Sequence, residues 1–401
     1  MHLINTTTLG LHEFVDVSAA PRYAIVSHRW GDDEVSHKDY LKGRQRSGNG
    51  LRKIEQSCQR ARMDGHDWLW IDSCCMDKRS SASLNEAINS MFSYYARATV
   101  CYAYLYDVEM GLASDVEPSV VKAKLAASCW FARGWTLQEL IAPRTVQFFD
   151  CNWSYIGAKS SDAPSLNQPI SEITRIPEVV LRAREAMFHY SIAQRFSWAS
   201  RRTTTRVEDM SYCLLGLFDI NMPLIYGEGW KAFSRLQKEI LTRYDDDSIF
   251  AWRTFDEGQT PNPYRRGNVR GLLARMPAEF ANASQAIRSI GHNRPPCALT
   301  NRGMEIRIPP GKTSGAYRDP DDHCVVHLYV NCIPWREGGP YVLVLRYLPH
   351  CRHYGRVALL QDVNFKASHS QWHACREDEV LYVHLTWMDA MYCSTQPAHA
   401  R

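Results

Sequence analysis

The stretch YAIVSHRWGDDE (23–34) decides the fold class. Its first five residues form a short apolar run with β-branched members and no polar alternation, the pattern of a strand buried on both faces in a parallel sheet. The run passes directly into a polar loop containing a glycine, residues 28–34. WLWID (68–72) repeats the pattern, a second buried strand ending at Asp72 and followed by the loop Ser73-Cys74-Cys75-Met76-Asp77. VCYAYL (100–105) and TVQFF (145–149) supply a third and a fourth strand. Helices alternate with them. LRKIEQSCQRARMD (51–64) places Leu51, Ile54, Cys58 and Ala61 at helical spacing, with Gly65 as its C-terminal stop. SLNEAINSMFSYYAR (83–97) opens on Ser83 with Glu86 three residues on, a capping box. CWFARGWTLQELIAP (129–143) reads as a helix of about three turns closed by Pro143. Alternation of this kind predicts right-handed βαβ units and an α/β fold with a mostly parallel, doubly wound sheet flanked by helices.

In such sheets ligands bind at the carboxyl ends of the strands, near a reversal of strand order. The 28–34 loop, Asp72 with its loop, and the connection into the 129–143 helix all leave from that edge. Three loops are therefore expected to converge on one crevice. Trp135 and Glu139 stand four apart and share a helix face, which sets an aromatic platform beside a fixed negative charge. That pairing suits a cationic ring. A core tryptophan beside a solvated carboxylate meets the same spacing.

Other chemistry can be written for the same edge. Cys74 or Cys75 with His28 as base and Asp72 as orienting group would make a cysteine hydrolase, although such thiols equally serve as small core residues. His28, Asp72 and Cys74 lack the ligand spacing of a metal site, so no metal is expected.

Composition bounds the function classes. The chain has 401 residues, 45% hydrophobic and 22% charged, which is globular rather than disordered and long enough for two or three domains. A net charge of +4 with no compact Lys/Arg run argues against nucleic-acid binding. No apolar run approaches the roughly 20 residues that span a bilayer, and the first residues lack a signal-peptide pattern. The 13 cysteines are scattered without a C-x-x-C pair, which reads as reduced thiols in a cytoplasmic protein.

Four segments are expected: an α/β domain over 1–169, a helical extension over 170–255, a linker over 256–270 and a β-rich module over 271–401. The extension shows apolar stripes in 191–200, 207–218 and 230–241. The linker is rich in Gly, Pro, Asn and Arg. MEIRI (304–308), CVVHLYV (324–330), YVLVLRY (341–347), RVALL (356–360) and VLYVHLTW (380–387) suggest an antiparallel, sandwich-like module. Its many histidines, among them His327, His353 and His373, form no ligand set by spacing.

SHRWGDDE (27–34), WLWIDSCCMDK (68–78) with NEAINSMFSYYARATVCYAYL (85–105), and RGWTLQELIAP (133–143) resemble, in order, the three blocks of the fungal heterokaryon-incompatibility (HET) domain. RTTTRVEDMSYCLLGLFDINMPLIYGEGWKAFSRLQKEI (202–240) and DDSIFAW (246–252) look like the downstream part of the same proteins, so the resemblance covers roughly residues 1 to 252. His28 departs from a common tyrosine, and Cys75-Met76-Asp77-Lys78 from the usual C-I-N-Q.

The HET domain looks like a distant relative of the TIR fold, a flavodoxin-like arrangement. By that match Glu139 takes the position of the carboxylate used by TIR enzymes that hydrolyse NAD. The resemblance thus implies a cell-death effector of non-self recognition, with NAD or a related nucleotide as substrate and no bound cofactor. It implies self-association to complete the site, and an upstream recognition protein as a possible partner. Glu139 would be catalytic. Trp135 and Trp30 would stack on a planar ring, and Arg29 with loop N–H groups such as that of Gly31 would meet the diphosphate. Ser27, His28, Asp72 and Cys74 complete the expected substrate-binding set. A non-enzymatic module that signals by self-association is the alternative.

Overall fold

Ala24–His28 forms a strand buried along its whole length, as a run without polar alternation requires. A computed structural model describes residues 1–43, 48–111, 117–160, 165–253, 269–288, 297–307, 316–319, 324–330, 332–334, 341–348, 351–361, 373–374 and 380–385. The Cα framework divides into two compact units, Met1–Phe188 with Arg202–Gly227, and His189–Arg201 with Glu228–Arg401. The expected helical extension is thus shared between the two, and most of the expected linker lies outside the described residues.

The first unit is built on a seven-stranded sheet. Its strands are β1 (His2–Asn5), β2 (Leu11–Glu13), β3 (Ala24–His28), β4 (Trp68–Trp70), β5 (Val100–Tyr104), β6 (Val146–Phe149) and β7 (Tyr155–Lys159), in the order β2-β1-β4-β3-β5-β6-β7. The four strands read from the sequence are parallel to one another. They take the order second, first, third, fourth, the arrangement whose strand-order reversal falls beside the first strand. The remaining strands are antiparallel additions at both edges, so the sheet is mixed rather than mostly parallel. Its core consists of Ile25, Val26, Leu69, Trp70, Tyr102 and Phe148, all essentially inaccessible.

The helices are α1 (His37–Leu41), α2 (Asn49–Met63), α3 (Asp72–Cys75), α4 (Ser81–Arg97), α5 (Pro118–Ala127) and α6 (Thr136–Ile141). Three differ from expectation. Ser80, not Ser83, caps α4, its side chain accepting from the Ser83 N–H at 3.2 Å. Asp72 opens a one-turn helix instead of ending a strand. The expected three-turn helix over 129–143 shrinks to α6, because residues 131–133 close successive turns onto residues 128–130 and Arg133 then makes a single parallel bridge to Thr203. Thr203 N–H donates to Ala132 O at 2.7 Å and Gly134 N–H to Thr203 O at 2.8 Å. The approach is so close that a Cβ on Gly134 would lie 2.4 Å from Thr204 Cγ2. The 207–218 stripe likewise breaks, into Asp209–Tyr212 and a 3-10 turn over Leu215–Leu217.

The second unit is β-rich, as expected. The strands are β8 (Ala286–Arg288), β9 (Ala298–Thr300), β10 (Gly303–Arg307), β11 (Ala316–Arg318), β12 (Val325–Tyr329), β13 (Cys332–Pro334), β14 (Tyr341–Leu348), β15 (His353–Gln361), β16 (His373–Ala374) and β17 (Val380–Val383). Among the described residues, eight form one sheet in the order β16-β11-β12-β14-β15-β17-β10-β9, and β13 pairs with β8. Pairing in the large sheet is antiparallel except where β15 meets β17. Helices Ile192–Ala199 and Lys231–Arg243 belong to this unit. The first opens on a full capping box at Ser191 and Gln194.

Candidate functional site

The carboxyl end of β3 carries the unusual chemistry of the first unit. Ser27 and His28 end the strand in register with Ala103 and Tyr104 of β5, at the strand-order reversal. Both side chains are buried. The Trp130 indole N–H donates to Ser27 Oγ at 2.9 Å, and the Ser27 hydroxyl in turn donates to Glu139 Oε2. A strand-end hydroxyl thus connects a core indole to the carboxylate of α6.

Glu139 is only 9% exposed. Burial pushes its carboxyl up to about 7, the Asp72 charge adding to this while the Ser27 hydrogen bond and the Arg133 and Arg202 charges oppose it. A carboxyl so placed exchanges its proton near neutral pH, the condition for a general acid or base. The helix that bears it is pinned at its C-terminus by a buried lysine. Lys159 of β7 donates to the Leu140 and Pro143 carbonyls, satisfying acceptors that a helix end leaves orphaned, and burial pushes its ammonium down to about 7.

Arg202 reaches the same place from downstream in the chain. Its Nη1 donates to Thr136 Oγ1 at 2.8 Å and to Arg133 O at 2.9 Å, while Nη2 is buried with no hydrogen-bond partner among the described residues. Burial lowers the guanidinium to about 10. Asp209 comes from the same segment, accepting from the Trp135 indole at 3.3 Å and the Tyr226 hydroxyl at 3.0 Å.

A second network surrounds Asp72. His28 Nε2 lies 3.0 Å from Asp72 Oδ1, and the Trp30 indole donates to Asp72 Oδ2 at 2.8 Å. Lys78 Nζ stands 3.5 Å from the same carboxylate and 3.3 Å from the centroid of the Trp30 ring. Lys53 Nζ lies 2.8 Å from His28 Nδ1 and pairs with Glu34. Because an ammonium only donates, Nδ1 accepts from it and Nε2–H faces Asp72. Burial alone would push the Asp72 carboxyl up, but Lys78 and His28 outweigh it and hold the group well below the ordinary range.

The expected residues therefore come together only in part. Ser27, Glu139, His28, Asp72 and Trp30 are linked as described, but the single crevice is replaced by two clefts. One, of about 210 Å³, is lined by Arg29, Arg133, Trp135, Thr203 and Asp209 among others. The other, of about 200 Å³, is lined by Trp30, His37, Met76 and Lys78 among others. Glu139 lines neither. Trp135 precedes α6, and its indole is directed to Asp209. The Gly31 N–H donates to Glu34 Oε1 at 2.9 Å.

Cys74 is fully buried, and burial pushes its thiol well up. It does not join the others, and both His28 nitrogens are engaged, so the cysteine-hydrolase arrangement is absent. A larger cavity of about 400 Å³ in the second unit, lined by Asp245, Asp246 and Asp247 with Tyr244, holds none of the candidate residues. Arg202, Asp209 and Lys159 were missed in the sequence, since neither spacing nor composition ties them to residues some 20 to 75 positions away.

Comparison with known proteins agrees with the N-terminal motifs. Residues 23–117 match the family described as Heterokaryon incompatibility protein (HET), and residues 231–295 match a domain of unknown function (DUF8212). The chain is 46% identical over 224 residues to Vegetative incompatibility protein HET-E-1 of Podospora anserina, a match covering 55% of this chain and 16% of that protein. The chain thus spans only a small part of this relative's length. No solved structure matches. Among the described residues no helix is long and apolar enough to cross a membrane.

Proposed function

We propose that this chain, which carries a heterokaryon-incompatibility domain, is a cell-death effector of fungal non-self recognition that acts by hydrolysing the nicotinamide–ribose bond of NAD through Glu139. The observation that carries the reading is a nearly buried carboxylate, pushed up to about 7, at the carboxyl end of the first parallel strand. The strand order beside it is the one in which doubly wound folds bind nucleotides, and it is compatible with the TIR-like relationship that the motifs suggest.

The chemistry asks little of the protein. The C–N bond breaks with its electron pair going to the nicotinamide nitrogen, which leaves as a neutral molecule, so no general acid is needed. The ionised Glu139 stabilises the oxocarbenium-like transition state and accepts the proton of the attacking water, whose oxygen bonds to the ribose carbon. Ser27 holds the carboxylate in one orientation. The unpartnered Arg202 Nη2 offers a donor beside it. Arg29 and Arg133 lie at the cleft with Trp135 and supply charge for a diphosphate.

Each cleft is smaller than the roughly 300–1,000 Å³ of an ordinary ligand pocket. Self-association that opens or completes the site is therefore part of the proposal. One observation favours a second, non-enzymatic reading: Glu139 is engaged by Ser27 and lines neither cleft, as a packing residue would. The two readings separate on nicotinamide release from NAD by the purified chain, with and without crowding agent, set beside toxicity in cells. The enzymatic reading expects Glu139→Gln to lose both. Toxicity retained by a variant that releases no nicotinamide would leave the signalling module.

A further inference from the structure

The large sheet of the second unit brings His384 beside Cys351 and His353, three side chains of metal-ligating type of which His384 is distant in sequence from the other two. β14 and β15 form a hairpin, with the Cys351 and Arg352 N–H groups both donating to Leu348 O near its turn. Arg352 adopts a left-handed φ of 58°, which reverses the chain between Cys351 and His353, the first residue of β15. His384 directly follows β17, and its N–H donates to Tyr354 O at 2.9 Å. Among the described residues this is where the sheet has a parallel pair, with Tyr354 in register with Val383.

Cys351 Sγ lies 3.5 Å from His384 Nε2, and the His353 and His384 ring centroids are 4.9 Å apart. One ligand atom from each of Cys351, His353 and His384 falls within 4.8 Å of the others. Zinc–sulfur and zinc–nitrogen bonds of about 2.3 and 2.0–2.1 Å at a tetrahedral angle separate the two ligand atoms by about 3.6 Å. The Cys351–His384 separation already has that length. His353 Nδ1 is buried with no hydrogen-bond partner among the described residues, an arrangement that a metal bond would satisfy. Leu348 and Val269 pack against Cys351 and limit water on one side.

We propose that Cys351, His353 and His384 bind a single zinc-like transition-metal ion that ties the β14–β15 turn to the end of β17. One thiolate with two imidazoles selects zinc or copper over magnesium or calcium, whose sites are built from oxygen. Three protein ligands leave a fourth position for water. On binding, the Cys351 S–H bond is exchanged for a sulfur–metal bond and the proton passes to solvent. The sequence hid this set, since only the sheet brings residue 384 beside 351 and 353. The proposal is independent of the reading of Glu139.

The test uses the full chain, stripped by a chelator and titrated with Co²⁺ and then Zn²⁺. The expected result is a thiolate-to-cobalt charge-transfer band with tetrahedral visible bands, saturating at one equivalent and bleached by Zn²⁺. Cys351→Ser should abolish the band, and His353→Ala should weaken binding by more than about 100-fold, beyond the effect of losing an outer-shell partner. Zn²⁺ should raise the unfolding midpoint of the wild type and not that of Cys351→Ser. A band that survives in Cys351→Ser would come from other thiols and overturn the proposal. Wild-type protein without a charge-transfer band overturns it too, whether or not the variants fold.

Discussion

At pH 8 the Glu139 carboxylate is charged in a place that resists its charge, and replacing it with glutamine should make the protein more stable. Below 4.5 the carboxyl is protonated in both the folded and the unfolded chain, and its folded-state preference for the proton is fully present as stability. As pH rises the unfolded chain releases the proton first, and the advantage is lost up to the folded value of about 7. At about 1.4 kcal/mol per tenfold, the rise from 4.5 to about 7 amounts to about 3 kcal/mol above neutral pH. Glutamine keeps the shape and leaves the Ser27 hydroxyl an oxygen to donate to, without the charge. Glu139→Gln should therefore gain about 3 kcal/mol over wild type at pH 8 and less than about 1 kcal/mol at pH 5. Urea unfolding of the first unit, followed by tryptophan fluorescence and circular dichroism at both pH values, measures the difference. A variant no more stable than wild type at pH 8, or one with the same gain at both pH values, would refute the reasoning.

Other substitutions probe the packing that holds the site. Asp72→Asn strips the charge that His28, Trp30 and Lys78 share, and should cost about 2–4 kcal/mol at pH 7. Because the Asp72 carboxyl is held below its ordinary 3.8, that difference should persist down to about pH 4 and fade only in stronger acid; a loss under about 0.5 kcal/mol at pH 7 contradicts it. Gly216→Ala puts a Cβ 2.2 Å from Phe92 Cβ and should destabilise the first unit by about 1–3 kcal/mol, read from its denaturation midpoint. Ser191→Ala removes a capping box whose hydroxyl also donates to Ala286 O, and should cost the second unit about 1–2 kcal/mol without moving the first transition.

The parallel core was legible because buried strands write their burial directly into the sequence. Ala24–His28, Trp68–Trp70, Val100–Tyr104 and Val146–Phe149 are apolar runs with no polar face to obscure the reading. The edge strands carry weaker signals. Leu11–Glu13 has three residues, and Tyr155–Lys159 contains a glycine at φ 152° and ends on a buried lysine. α3 is a single turn, too short for periodicity to register.

The candidate site was half legible. Glu139 and Ser27 meet where loops leaving one sheet edge should meet, whereas Arg202 and Asp209 arrive through a bridge between residues 133 and 203 that no local pattern announces. That same bridge shortened the helix expected to carry Trp135 and Glu139 together. The Trp135 indole is directed to Asp209 and the Glu139 carboxylate to Ser27, although the Glu139 N–H still bonds Trp135 O across one turn.

The most direct measurement of the central claim is the pH dependence of nicotinamide release from NAD by the assembled protein. Catalysis by an ionised Glu139 predicts a rate that climbs through a single ionisation near 7 and levels above it, with Glu139→Gln at the uncatalysed rate throughout. Equal turnover by wild type and Glu139→Gln, or a wild-type rate already level across pH 5 to 8, would contradict it.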